Sequence, residues 1–396
     1  MNRITAGLIL ILVLWVTNMH VPLDFAIRRM EGAFDVMDYK ALATKPVSEL
    51  QDMNLEHRQR FVIPSLIGWL SRKTHLSLDL VFTLGTLLTL LTMLWVLMEI
   101  FREFRISQTT QLISVFLVLF NPHLFRFYIA YPGVIVDAVF LLGTALAVLG
   151  LVRGKIWIVI PGFLIAGLGR QTTFLLLPAV WLWVFGGESW KSFSRSRKIW
   201  SAMLVSFSTL ALYGATAWFL GEDLIGSENR SPFLQFLNGP NQNLIFEREA
   251  KFFVWGVFPF VPGLFVLAGA FFAGRKIALP PREFYYCLVC MMLLLTQSLV
   301  WALTFVDFSL RYSLLTFVFF ITALAMVLDS VGFGKNSMNR FHMVICLAIF
   351  LSSFHHQTSV VYLCGWSILT FGWLYLISGL IAFVAAFLSM PRPVRS

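Results

Sequence analysis

LDLVFTLGTLLTLLTMLWVLMEI, residues 78–100, carries no charge between Asp79 and Glu99. A helix needs about 20 apolar residues to cross the hydrocarbon of a bilayer, and this stretch supplies them without a break. Lipid offers no partner to a backbone amide, so a segment of this kind has to satisfy its own hydrogen bonds as an α-helix. The pattern then repeats outward. Apolar runs fall at 4–20, 107–122, 133–152, 156–168, 172–186, 199–220, 252–273, 284–305, 311–330, 341–354 and 366–389. With 78–100 they make about twelve spans, with a range of about 10–13 because several are short. The expected fold class is therefore all-α, a polytopic transmembrane helical bundle forming one integral membrane domain over residues 1–396. The first run follows Asn2-Arg3 and has no small-residue cleavage site before His20, so it reads as an uncleaved anchor.

Composition agrees. Of 396 residues, 58% are hydrophobic and 13% charged, and the mean hydropathy is +0.80. A soluble domain carries roughly 25% charged residues and cannot clothe its surface with half of that. The net charge of +10 does not point to nucleic acid, because Lys and Arg fall in short clusters between apolar runs and form no single basic face. Cys287, Cys290, Cys346 and Cys364 all lie in apolar stretches, where core packing accounts for them better than a disulfide framework or a zinc site.

The clusters also predict topology. Arg3, Arg102 with Arg105, Arg153 with Lys155, Lys191 through Lys198, Arg275 through Arg282, Lys335 with Arg340, and Arg392 with Arg395 occupy every second connection. By the positive-inside rule those connections and both termini are cytoplasmic. One long loop breaks the rule. Residues 21–77 fall on the opposite side, yet they hold Arg28, Arg29, Lys40, Lys45, Arg58, Arg60, Arg72 and Lys73. Cations that do not serve topology suggest an anionic ligand. The same side receives the segment 121–132, the Gly169–Thr172 corner, the second sizeable loop 221–251, the Asp307–Arg311 corner and His355-His356.

That face holds the candidates for chemistry. Asp35 and Asp38 are three apart, so on a helix they share a face. Desolvation beside a membrane would suit such a carboxylate to general-base work, although an ordinary loop acid near Arg28 or Arg58 has the same look. Residues 60–76 are too short and too capped by charge to span, and predict an interfacial amphipathic helix with Trp69 at headgroup depth. Arg126, Tyr128 and Tyr131 precede Asp137 near the outer end of its span, Arg170-Gln171 interrupts an apolar stretch, and Asp307 and Arg311 flank a turn. Each alone could be a helix-end ion pair, but several converge on one face, where ions are costly and default to function. The arginine fork is suited to phosphate. Asn238, Asn241, Gln242 and Asn243 in the loop 221–251 are of the types that bind sugar hydroxyls and equally of the types that make turns. His355-His356 could ligate a metal, but adjacent histidines in a short connection are usually no site. No nucleotide-binding or metal-site motif occurs.

At this point the residues resemble a family. Asp35 to Tyr39 as acid-x-x-x-Tyr, Arg60 to Pro64 leading into an interfacial helix, the corner Gly169-Arg170-Gln171, and Asp307-x-x-x-Arg311-Tyr312 are similar to features of the integral-membrane GT-C glycosyltransferases of bacterial type. The resemblance implies an enzyme of the bacterial inner membrane that moves a sugar from a polyprenyl-phosphate donor to a glycan, lipid or protein acceptor on the extracytoplasmic face. It implies membrane lipids as partners and no nucleic acid. It makes Asp35 the closest match for the base with Asp38 second, and Arg58, Arg60, His57, Tyr39, Arg126, Arg170, Gln171, Asp307 and Arg311 the groups that meet donor phosphate or substrate. Several such families carry Asp-Glu or Asp-x-Asp where this chain has Asp-x-x-Asp, so the identity of the base and a divalent metal requirement stay open. A lipid-linked polysaccharide polymerase or ligase is the nearest alternative, although its outer arginines would concentrate in a large late loop. A transporter is the alternative from another class, although its polar groups would sit at the midplane of two related halves.

Overall fold

The computed structural model describes residues 36–51, 53, 55–121, 124–220, 260–273, 280–304, 314–333, 338–352 and 368–390. Among these the chain is all-helical, with no strand. Helix α1 is Val36–Thr44, α2 is Leu55–Arg58 and α3 is Val62–Thr74. The long helix α4, Leu78–Glu103, is followed by α5, Gln108–Leu119, and the short α6, Phe125–Ala130. Helix α7, Ile135–Arg153, pairs with α8, Ile156–Gly169; α9 is Leu177–Gly186 and α10 is Arg195–Phe219. The remaining elements are α11, Val261–Phe272; α12, Arg282–Thr304; α13, Phe317–Ser330; α14, Arg340–Ser352; and α15, Ile368–Ser389.

Local chemistry sets these boundaries. The Ser77 hydroxyl accepts the Leu80 amide at 3.3 Å and Asp79 sits in the first turn, so α4 starts with both a cap and a charge that suits the helix dipole. Ser194 caps α10 in the same way. Gly154, at φ 65, lets α7 end in the left-handed conformation that a side chain would resist. The apolar run expected as one span over 172–186 is one helical stretch, Gln171–Gly186, whose geometry changes part-way. Residues Gln171–Leu176 form a 3₁₀ helix, and α9 begins at Leu177 with Pro178 in its first turn. Proline lacks the amide that would continue a helix through it, but fits where that amide is spare.

Three helical stretches are long and apolar enough to cross a membrane: Leu78–Glu103, Pro132–Arg153 and Arg195–Phe219. They differ in position. The second is 89% buried across its apolar window and forms the centre, whereas the third is only 22% buried and lies at the edge. The centre is tight because small residues face each other. A Cβ added to Gly143 of α7 would stand 2.2 Å from the Ala166 nitrogen of α8. Backbones that approach this closely gain dispersion contacts along their length, the usual means of holding helices together where no hydrophobic drive exists.

Contacts sort the helix ends into two sets. Arg153 bonds Glu103 at 2.6 Å and Glu99 at 2.9 Å, Asp329 accepts the Ser107 amide at 3.0 Å, and Glu283 accepts the Glu188 amide at 3.0 Å. Trp190 Nε1 donates to the Leu151 carbonyl at 2.8 Å. One end of the bundle thus gathers the connections bearing Arg102, Arg153, Lys155, Lys191 and Arg282. The other end carries the starts of α4 and α7, the end of α8 and the helices α1 to α3.

Candidate functional site

Asp137 lies in the first turn of α7, where amides without helical partners and the positive end of the dipole favour a carboxylate. Gly169 closes α8 against that turn. A Cβ there would meet the Val136 oxygen at 2.5 Å and the Phe140 nitrogen at 2.6 Å, so a larger residue would push the two helices apart. The chain then leaves the helix, with Arg170 extended at φ −152 and ψ 135. Its Nε donates to Asp137 Oδ1 at 2.6 Å, and both side chains are 0% exposed. The Thr173 hydroxyl donates to the Arg170 carbonyl at 2.8 Å and fixes the corner.

The first loop docks beside this pair. Arg60, itself buried, donates from Nη1 to the Tyr39 hydroxyl at 3.0 Å and from Nε to Gln171 Oε1 at 3.4 Å. Tyr39, Leu42 and Val136 form a small apolar cluster, so the residue next to Asp137 is also a seat for α1. Asp38 and His57 are in direct contact through Oδ2 and Nδ1. A hydrogen bond from the ring to a carboxylate oxygen here requires an imidazole form with its proton on Nδ1. The His57 ring lies 6.0 Å from the ring of Tyr39, which links this acid to the cationic group. Arg58, partly buried, follows on the last turn of α2.

Of the expected residues, Asp38, Tyr39, His57, Arg60, Arg170 and Gln171 are brought together from the first loop and the α8 corner. Arg126 stands on α6, and its side chain lies outside the described residues. Asp35, Asp307, Arg311, His355 and His356 lie outside them too, as do the run 4–20 and the loop 221–251. Sequence reasoning passed over Thr172. Its hydroxyl is buried next to Gln171 and has no hydrogen-bond partner among the described residues. The only signal was its place directly after Arg170-Gln171. Among the described residues no group of three or more His, Cys, Asp or Glu side chains is placed to hold a metal ion.

The arrangement holds two guanidinium groups and one fully buried carboxylate in a region screened from water. Guanidinium fork geometry matches carboxylate and phosphate oxygens, and low local dielectric strengthens any such contact. No family model, curated protein or solved structure matches this chain.

Proposed function

We propose that the chain is a polytopic membrane glycosyltransferase that moves a sugar from a polyprenyl-phosphate donor to an acceptor at the end of the bundle holding Tyr39, Arg60 and Arg170. The lipid placement is supported by the three long apolar stretches and by the exposure of Trp200, Phe207 and Trp218 on α10. The basic connections gather at the other end, which the positive-inside rule makes cytoplasmic, so this reading puts the site on the extracytoplasmic side, with the span number of about twelve resting on the apolar runs of the sequence alone.

One observation carries the chemical reading. Arg60 and Gln171, separated by 111 positions, are hydrogen-bonded, and the acid Asp38 stands next to Tyr39 in the same group. In the reaction the acceptor oxygen bonds the anomeric carbon of the sugar. The bond from that carbon to the lipid phosphate breaks, and the phosphate leaves with the electron pair. Fixed cationic donors stabilise the charge as it develops there. A first-loop acid, Asp35 or Asp38, takes the acceptor proton.

The test is sugar transfer from a panel of radiolabelled polyprenyl-phosphate sugars by the purified protein in lipid. Wild type should transfer from at least one donor, and Arg60→Gln should lower the rate by about 10²–10³-fold with folding intact. Absence of transfer by wild type from every donor would overturn the proposal.

A further inference from the structure

Helix α3 has two unlike faces. Pro64, Ile67 and Gly68 are buried against α1, where a Cβ on Gly68 would lie 1.7 Å from the Ala43 oxygen. Ser65 Oγ donates to the Leu42 carbonyl at 3.2 Å and Arg72 Nη1 to the Ala43 carbonyl at 3.1 Å, so the pair α1 and α3 is bolted together. The opposite face of α3 exposes Leu66, Trp69 and Leu70. Lys73 follows on the last turn and is exposed. Lys45 is exposed as well, two residues past the carbonyl that Arg72 holds, so Lys45 and Lys73 lie close in sequence to the same contact between the two helices. Residues 60–78 hold no acid and residues 40–51 hold one, Glu49.

We propose that this face is a docking surface for anionic phospholipid headgroups of the leaflet in which it lies. Leu66, Trp69 and Leu70 enter the boundary between headgroups and acyl chains, and Lys45 and Lys73 meet lipid phosphates. The charge selects the occupant: an apolar stripe alone would accept any lipid or protein, but a stripe ending in cations, with no acid on α3 itself and only Glu49 and Asp79 nearby in sequence, suits an anionic interface. The consequence reaches the site, because α1 carries Asp38 and Tyr39. Lipid held on α3 fixes the first loop against the α8 corner, so the donor site is complete in an anionic membrane and loosened in a neutral one. The inference rests on the membrane placement proposed above and is independent of sugar transfer.

The experiment reconstitutes the full chain into vesicles of brominated phosphatidylglycerol or brominated phosphatidylcholine and reads tryptophan quenching. The chain has 13 tryptophans, so the Trp69 signal is the difference between wild type and Trp69→Phe. Quenching of that signal should favour phosphatidylglycerol, and Lys73→Gln and Lys45→Gln should each reduce the preference by about five-fold. Equal quenching by the two lipids, or a preference that neither substitution moves, overturns the inference. So does loss of the Trp69 signal in both lipids while the remaining tryptophans stay quenched, since that puts the face outside the membrane. If no tryptophan at all is quenched, the membrane placement itself falls, and the docking surface with it.

Discussion

Arg170 Nε donates to Asp137 Oδ1 at 2.6 Å, and neither side chain is reached by solvent. Burying two ions costs several kcal/mol each, and their attraction repays that only while both are present. Removing one partner leaves the other buried without the charge that balances it across this contact. Asp137→Asn or Arg170→Met should therefore destabilise the fold by about 3–5 kcal/mol, and the double substitution Asp137→Asn with Arg170→Met should recover most of the loss. Thermal unfolding in one detergent reads all three. Additive losses in the double variant would show that the two residues are not coupled.

The pair depends on how closely α8 meets α7. Gly169→Ala sets a methyl against backbone atoms of residues 136 and 140, which cannot swing aside as a side chain would. It should lower stability by about 1–3 kcal/mol, as overpacking does, and abolish transfer by moving Arg170. Gly214 on α10 is the control. A Cβ there meets nothing within 4 Å, so Gly214→Ala should be neutral or stabilise by up to about 1 kcal/mol through helix propensity. Equal effects at the two positions would sink the close-packing account.

Much of this was legible in the sequence, for reasons that differ by residue. Helix α4 was readable because one property, the absence of charge between Asp79 and Glu99, decides the environment of the whole segment. The alternation of basic connections led to the expectation that Asp38, Tyr39, Arg60 and Arg170 share a side, and the structure links Tyr39, Arg60 and Gln171 by hydrogen bonds. The pairings did not follow. Asp137 meets Arg170 across two helices joined at the opposite end, and only the closeness that Gly169 permits brings them into bonding distance. Asp38 had Arg58 as its obvious neighbour in charge, and the contact the structure shows is with His57, one residue earlier on α2. The change from 3₁₀ to α at Leu177 was not read, because an apolar run carries no signal that separates the two geometries.

Thr172 offers a test that separates stability from function. A buried hydroxyl without a partner costs about 1–3 kcal/mol, and Val replaces it at nearly equal shape. Thr172→Val should leave the melting temperature unchanged or raise it. If the hydroxyl is kept for the donor, the same variant should raise KM for the lipid-linked sugar while kcat changes less. A fall in stability would mean that the hydroxyl is engaged in the fold, and an unchanged KM would remove it from the site.

Asp38 and Asp35 remain to be told apart, and the contact with His57 supplies the means. Asn at position 38 can still accept the His57 Nδ1–H through its carbonyl oxygen, so Asp38→Asn keeps the local geometry and removes only the capacity to take a proton. If Asp38 is the base, this variant should lose about 10²–10⁴-fold in rate, the usual contribution of a positioned general base, with little change in melting temperature. His57→Gln, which retains a donor, should then keep most of the activity. If Asp35 is the base, Asp35→Asn should carry the large loss and Asp38→Asn a small one, since Asp38 would then act only by holding His57 and Tyr39 in place. Measured in parallel on a donor that wild type accepts, a large loss in one variant alone assigns the base. Full activity in both would remove the first-loop acids from the chemistry and leave Arg60, Gln171 and Arg170 as a binding site without a base.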